Sequence, residues 1–528
     1  MLRGPLLLWT MLVTFAGCPG GGGVIGDACD GNGDCDGTLQ CLNSRCVPRC
    51  LRAPQCGDGY SCDERGSCQP ADGQADEPCL SEVDCAAGLA CQFDGAPVDP
   101  STSRPVSHCR PALDARPAGT TCAADSECRN GTCAFGRCID LCRQTRDCSV
   151  GNSCAIIPSD RASNAQYAGC LPSSGRMTWS IPVTRPAEEI QLAIPNVARS
   201  ATLVMSVDDL GQKVGASSVL SPAGARVYNV PCSPVRDLMC DQTLSFDQYF
   251  ANQVRHQPAF GQSVLALPSG TLPSGAPTFQ PGVYRVDVSS FRANDLPGSA
   301  IPHVTAIVQL SAGSILDLHF YFLDLTDHPC AAMTNNAALA AGVAETATFF
   351  QQDYLGELRA VFDAADLMLG TTSYEDITDH PELDGLDIAD AGSLLKLGKF
   401  ATGINVFFVR SLSPVGLQAF GPNPGPAGLG GTAQSGIVIG LDTLCYRDWT
   451  ALARLTAHEL ARYMGLYHNV ELETAQHPTW RDAIYDSDGS SNNLMFFSER
   501  AAAGAESSAG TELSNGQRDI LLRSAVLR

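Results

Sequence analysis

The spacing of hydrophobic and polar residues divides the chain from residue 27 onward into three regions. From 27 to 171, single cysteines alternate with Gly, Asp and Asn, and no apolar run is long enough to build a core. From 176 to 312, short β-rich runs such as 200–207 alternate with Pro, Gly and Ser turns, a pattern typical of a β-sandwich. From 314 to 528, apolar strands alternate with helical patterns, which predicts an α/β fold.

The last of these regions gives the clearest individual elements. Asp448 is a good N-cap for a helix that runs to about Met464. The Gly/Pro-rich stretch 421–431 lacks the ending of a phosphate-binding loop and predicts a surface loop. The other predicted elements are a strand at 316–325, a long helix at 341–369, strands at 404–409 and 436–440, and a terminal helix at 513–527.

Twenty of the 25 cysteines lie between Cys29 and Cys170 and form an internal repeat. They fall into five groups of four, and five residues separate the first two cysteines of each group. This predicts small disulfide-stapled units of an oxidising compartment, with the pairing within each group left open. A zinc ribbon is the alternative, but its C-x-x-C knuckle is absent.

Besides Cys18, four cysteines lie outside the repeats. Cys232 and Cys240 are close enough in sequence to close a small loop, and Cys330 and Cys445 are the last pair. The repeat spacing resembles the Dickkopf-type Cys-rich repeats of secreted proteins. That resemblance leaves three roles open for the repeats: a stalk, a protein-binding module and a spacer.

The N-terminus predicts an export signal. Arg3 precedes an apolar run that is too short to span a bilayer, and small residues then precede Cys18. This segment resembles the lipobox of bacterial lipoproteins. The resemblance implies removal of 1–17, a lipid on Cys18 as the only membrane contact, and a Gly-rich tether at 18–26. An ordinary signal peptide is the alternative. The cysteines other than Cys18 are even in number, which fits full pairing.

The acidic net charge of the chain disfavours two classes of binding partner, nucleic acid and anionic lipid. The net charge is -22 and the isoelectric point is about 4.7. A nucleic-acid-binding protein would carry a basic patch, so we expect none here. Docking on anionic lipid is also disfavoured. We expect an exported, monomeric envelope or surface protein.

The helix after Asp448 carries the most specific motif. A zinc peptidase helix needs two histidines at i and i+4, with a Glu beside the first as general base. In the elongated form a Gly turns the chain and a third His follows. His458, Glu459, Gly465 and His468 are in register with that form, but Arg462 stands at the second His.

This pattern resembles the metzincin-type zinc metallopeptidases. Met495 falls where those enzymes have their Met-turn, and the predicted order of strand, long helix, strands, edge strand and active-site helix agrees. The resemblance implies a metzincin-like domain at 314–528 with zinc on His458 and His468. It also implies a peptide or protein ligand in the cleft beside an edge strand at 436–440.

Arg462 is the residue that distinguishes an active zinc peptidase from a relative without activity. Its permanent positive charge would repel zinc, and it can pair with Glu459 at i+3. We therefore expect a surface peptide- or protein-binding relative with impaired or lost hydrolysis. The first alternative is an active zinc endopeptidase with Glu459 as base, its metal site completed by one of His477, Asp482 and Asp486. The second is a purely structural envelope lipoprotein.

Two weaker signals complete the sequence. The stretch 281–288 resembles strands of jelly-roll domains that accompany secreted bacterial peptidases. The stretch 486–492 has spaced oxygen ligands but lacks the closing Glu of an EF-hand, so it predicts a polar turn rather than a calcium loop.

Overall fold

The computed structural model describes residues 27–30, 34–37, 39–42, 44–56, 60–62, 66, 68–99, 103–159, 165–323, 325, 330–470, 481–496 and 510–528. The predicted signal peptide, the lipidation residue Cys18 and the whole predicted tether at 18–26 lie outside the described residues. The predicted disulfide-rich region is confirmed and is followed by a mostly β-sheet region with some helices. In the described part of the chain, no helix is long and apolar enough to cross a bilayer.

The disulfide-rich region consists of five small hairpins. In every group of cysteines the first bonds the third and the second bonds the fourth. The paired strands are β1 (Leu39–Leu42) with β2 (Arg45–Pro48), β3 (Tyr60–Cys62) with β4 (Cys68–Pro70), β5 (Leu89–Asp99) with β6 (Arg104–Pro111), β7 (Cys133–Ala134) with β8 (Arg137–Cys138), and β9 (Asn152–Pro158) with β10 (Gln166–Pro172).

A side-chain hydrogen bond explains the constant gap between the first two cysteines. The residue before the second cysteine is always Asp, Glu or Gln, and its side-chain oxygen accepts a backbone N–H just after the first cysteine. This bond satisfies an amide that the tight turn would otherwise leave without a partner. The acceptors are Asp34, Gln55, Asp84, Glu127 and Asp147.

Two antiparallel sheets follow. Their elements are β11 (Arg176–Ile181), β12 (Ala187–Ile194), β13 (Ser200–Ser206), β14 (Lys213–Leu220), β15 (Arg226–Asn229), α1 (Gln242–Ala251), β16 (Ala259–Phe260), β17 (Gln262–Leu267), β18 (Gly282–Phe291) and β19 (His303–Gln309). One sheet has the order β11-β19-β13-β17. The other has the order β12-β18-β14-β15, with β16 also paired to β14. Residues of both sheets belong to one buried cluster, so the two sheets pack face to face.

The sandwich shares its core with the last three disulfide repeats. Cys91, Ile157 and Leu171 belong to the same buried cluster as strand residues of both sheets. Phe135 of the fourth repeat packs edge-on against Trp179, with ring centroids 5.1 Å apart. These repeats are therefore packed on the sandwich and do not form a detached stalk.

The third region is a mixed sheet flanked by helices. Its elements are β20 (Ile315–Leu323), α2 (Ala341–Ala344), a π-helical turn (Phe349–Tyr354), α3 (Leu355–Asp363), β21 (Met368–Ile377), β22 (Gly385–Asp387), α4 (Ala391–Leu395), β23 (Ile404–Val409), β24 (Ser411–Ser413), β25 (Ala419–Phe420), β26 (Ile437–Gly440), α5 (Trp449–Tyr463) and α6 (Asn515–Leu521). The main sheet has the order β21-β20-β23-β26-β25. Its first four strands are parallel and β25 is antiparallel.

Three sequence predictions in this region were wrong in part. The long helix predicted at 341–369 is broken into α2, the π-helical turn and α3, and Asp366 with φ +60° turns the chain into β21. The terminal helix is shorter than 513–527. The strand at 436–440 is not an edge strand, because β25 pairs with its outer side and β26 is completely buried.

His256 generates a prediction for the sandwich, because its buried ring bridges the two sheets. Its Nδ1 donates to the Val264 carbonyl of β17 (2.9 Å), and its Nε2 accepts from the Ala216 amide of β14 (3.0 Å). Burial lowers the pKa of His256 from 6.5 to about 4. Between these values the unfolded chain binds a proton that the folded chain excludes. The histidine's contribution to stability is therefore complete above pH 6.5 and falls as the pH drops towards 4.

We expect His256→Gln, which keeps a donor and an acceptor but cannot titrate, to show a flatter pH dependence. The wild type should lose roughly 3 kcal/mol more unfolding free energy than the variant between pH 6.5 and 4. Urea unfolding at a series of pH values measures this difference. Equal pH dependence in the two proteins would contradict the account.

Candidate functional site

The helix α5 places the motif residues inside the protein. The Asp448 carboxylate accepts from the Ala451 amide (2.7 Å), so the predicted N-cap is confirmed. The apolar side of α5 packs into the largest core cluster. His458 and Glu459 lie on the buried part of the helix, each only 5% exposed.

The turn after α5 brings the two histidines together. Gly465 has φ +109°, a left-handed conformation that favours glycine, and its amide bonds the Arg462 carbonyl. The chain then returns along the helix, and the rings of His458 and His468 stack with centroids 5.2 Å apart. The spacing of the motif therefore corresponds to a real juxtaposition of its histidines.

Both histidines are held in the neutral form. Nδ1 of His458 lies 2.7 Å from the Leu494 carbonyl, which can only accept, so Nδ1 carries the proton and Nε2 carries the lone pair. Burial is the largest cause that lowers the pKa of His458. Burial, followed by the charge of Arg462, lowers the pKa of His468 to about 2. Two neutral imidazoles are suitable metal ligands.

Arg462 pairs with Glu459, and its charge also acts on both histidines. Its Nη1 donates to both carboxylate oxygens of Glu459, at 3.3 and 3.2 Å. The side chain of Glu459 is 7% exposed and that of Arg462 is 24% exposed. On another side the backbone of Gly421 approaches so closely that a Cβ there would lie 3.2 Å from Oε2 of Glu459. The carboxylate is therefore enclosed and paired.

Met495 lies in a tight turn next to the histidines. It is completely buried, and its amide donates to the Asn493 side chain (2.9 Å). The Asn493 and Gln517 side-chain amides also bond each other, which connects the turn to α6. The amide of Asn469, which follows His468, donates to the Met495 carbonyl (3.2 Å). Sequence reasoning missed Asn469, Asn493 and Gln517, because no local pattern pairs them.

Neither of the two described candidates for the missing metal ligand, Asp482 and Asp486, forms a cluster of three ligand atoms with the histidines. His477 lies outside the described residues. The Asp486 carboxylate caps the start of α6 by accepting from the Ser514 hydroxyl and the Gly516 amide. That contact also agrees with the prediction of a polar turn at 486–492. Among the described side chains, no cluster of three His, Cys, Asp or Glu includes His458 or His468.

The donor set does not fit a catalytic zinc ion. Such sites have three protein ligands and a water molecule, whereas the described residues here bring together two imidazoles and a guanidinium. Arg462 would place a permanent cation beside the metal and repel it. Glu459, the only candidate for a general base in the motif, already accepts two hydrogen bonds from that cation.

The Gly/Pro-rich stretch 421–431 corrects another prediction, because most of it is buried rather than on the surface. It closes over the end of α5. The Asn423 side-chain amide donates to the Arg462 and Leu466 carbonyls, and the Gly425 amide donates to the Tyr463 carbonyl. A Cβ at Gly425 would lie 2.2 Å from the Tyr463 ring, so only glycine fits there.

The sandwich supports the same region from outside the motif. Val204, Val264 and Ile307 of its four-stranded sheet belong to the core cluster that contains α5. The Tyr467 hydroxyl, next to His468, donates to the Arg255 carbonyl (3.0 Å). The position of His468 therefore depends on contacts from both regions.

The disulfide candidates lie away from these side chains. Cys232 bonds Cys240 in the sandwich, and Cys330 bonds Cys445 just before α5. The second bond joins the segment after β20 to the base of the motif helix. Comparison with protein-family models and with curated proteins gives no match to this chain.

The ion pair generates a stability prediction. We expect Arg462→Met to cost about 3 kcal/mol of unfolding free energy, because it leaves the buried Glu459 charge without its partner. The double variant Glu459→Gln/Arg462→Met should recover most of that loss. Urea unfolding of the wild type, both single variants and the double variant gives the coupling energy. A double variant that is no more stable than Arg462→Met would contradict the role given to the pair.

Proposed function

We propose that this chain is an exported protein, anchored in the cell envelope through a lipid on Cys18, that binds peptides or proteins on a metzincin-like scaffold without zinc-dependent hydrolysis. The single observation that carries this proposal is the ion pair between the half-buried Arg462 and the buried Glu459 carboxylate. It lies where the motif requires a second metal ligand and a free general base.

The geometry around the pair supports the metzincin-like part of the proposal. The motif helix, the glycine turn, the returning His468 and the buried Met495 turn occur in the order that the resemblance implies. A strand, helices and further strands precede the motif helix, although the edge strand is β25 rather than 436–440. These agreements support descent from a peptidase. The presence of Arg462 in place of a metal-binding histidine argues against zinc-dependent hydrolysis.

Loss of hydrolysis follows from the state of Glu459. A general base must accept a proton from an attacking water, so its oxygens must face that water. Here both oxygens accept from Arg462, and Gly421 approaches one of them. Because both oxygens are already engaged by Arg462, the geometry argues against Glu459 as the general base.

The outer edge of β25 is the surface that we propose for a peptide. The Gly440 amide donates to the Gln418 carbonyl (2.9 Å), so the next pair, Ala419 and Ile439, is of the type that exchanges no hydrogen bonds. The N–H and C=O of Ala419 therefore point away from β26. An extended peptide could pair with them by strand addition.

Ala419→Pro tests this surface, because proline removes the outward N–H and leaves the bonds to β26 in place. We expect the wild type to retain peptides from an array of random ten-residue sequences without cleaving them, and Ala419→Pro to bind at least tenfold more weakly. Ala419→Ser, which keeps the N–H, is the matched control and should bind like the wild type.

Two outcomes would favour the other candidates. Cleavage of peptides that disappears in Glu459→Gln would mean an active zinc endopeptidase. Absence of binding to every peptide would leave a purely structural envelope lipoprotein. Mass spectrometry of the array after incubation distinguishes cleavage from retention.

A further inference from the structure

A cavity of about 380 Å³ lies on the sandwich, lined by residues outside the α5 site. It is bounded by α1, by the segment that begins at Val230, and by residues at the ends of β14 and β18. Pockets of about 300–1,000 Å³ suit small ligands. Nothing in the proposed peptide-binding function uses this cavity.

One wall of the cavity is aromatic. Phe246, Tyr249 and Phe250 of α1 line it together with Phe291 of β18. Helix α1 has no fully buried residue, although helices of soluble proteins normally bury their apolar stripe. The α1 residues therefore remain partly accessible, while the Arg255 guanidinium lies 5.4 Å from the Tyr249 ring centroid and 5.3 Å from that of Phe250.

The lining also includes a polar wall, whose charges are paired. Lys213 Nζ lies 2.8 Å from Asp295 Oδ1, and the Ser233 hydroxyl donates to Asp295 Oδ2 (3.1 Å). The Arg236 guanidinium also lines the cavity and is paired with Asp237 (3.1 Å). The lining therefore offers hydrogen-bonding groups without an unbalanced charge.

The walls are fixed before any ligand binds. The Cys232–Cys240 disulfide closes the loop beside α1. The Cys232 amide donates to the Gln248 side chain (2.7 Å), and the Ser245 hydroxyl donates to the Cys232 carbonyl (2.8 Å). A preformed site loses less conformational entropy on binding.

We propose that this cavity binds a neutral saccharide. Aromatic rings offer flat apolar faces to the C–H groups of a sugar ring. A carboxylate has about four acceptor positions, so Asp295 can accept from sugar hydroxyls in addition to Lys213 and Ser233. A charged ligand would lack a free counter-charge, and a purely apolar one would leave the polar wall without hydrogen bonds.

The test uses the purified full-length protein and a panel of neutral mono- and disaccharides, including glucose, galactose, mannose and N-acetylglucosamine. Saturation-transfer NMR identifies a binder, and calorimetry gives its Kd. We expect Asp295→Asn and Tyr249→Leu each to weaken binding at least tenfold. Asp208→Asn, which changes an exposed carboxylate of the same sandwich, should leave the Kd unchanged.

Three results would overturn the proposal. They are no binding of any saccharide at millimolar concentration, a Kd that neither Asp295→Asn nor Tyr249→Leu changes, and a peptide that binds the wild type but not Tyr249→Leu. Urea midpoints of the variants verify that they are folded. Because Ala419 and Glu459 are untouched, this test can fail while the proposed peptide binding stands.

Discussion

The folded chain buries the Glu459 carboxylate. The Arg462 guanidinium pairs with this carboxylate and offsets the free-energy cost of removing its charge from water. A buried ion without a partner destabilises a protein by several kcal/mol. The contact between Arg462 Nη1 and Glu459 Oε2 (3.2 Å) therefore stabilises the C-terminal end of α5. In a zinc peptidase, a metal and its ligands would join the helix to the returning chain. Here an ion pair and backbone contacts hold that region.

Those contacts come from three different parts of the chain. The Gly/Pro-rich stretch 421–431 bonds the last carbonyls of α5, and Gly425 fits against the Tyr463 ring. The sandwich accepts the Tyr467 hydroxyl through the Arg255 carbonyl. The Met495 turn accepts His458 Nδ1 through the Leu494 carbonyl. These contacts involve no metal, so the region can keep its fold without one, which fits the proposal of a binding protein.

Sequence predicted the features that depend on local chemistry. The cysteine groups, the Asp448 cap and the strand at 404–409 follow from residue type and spacing, and the structure has all of them. Features decided by tertiary contact could not be predicted. The burial of 421–431, the pairing of β25 outside 436–440 and the break in the helix predicted at 341–369 depend on neighbours distant in sequence. The motif predicted that His458, Arg462 and His468 lie close together. It did not predict the Asn493–Gln517 pair, which connects the Met495 turn to α6.

The central claim is that a cation has replaced a metal ligand in an otherwise intact site. The most direct measurement is the zinc content of the purified protein and of Arg462→His, by mass spectrometry after dialysis against zinc. Arg462→Gln, which removes the charge without adding an imidazole, is the matched control. The account predicts no stoichiometric zinc in the wild type or in Arg462→Gln, and about one zinc per chain in Arg462→His. About one zinc per wild-type chain would contradict it.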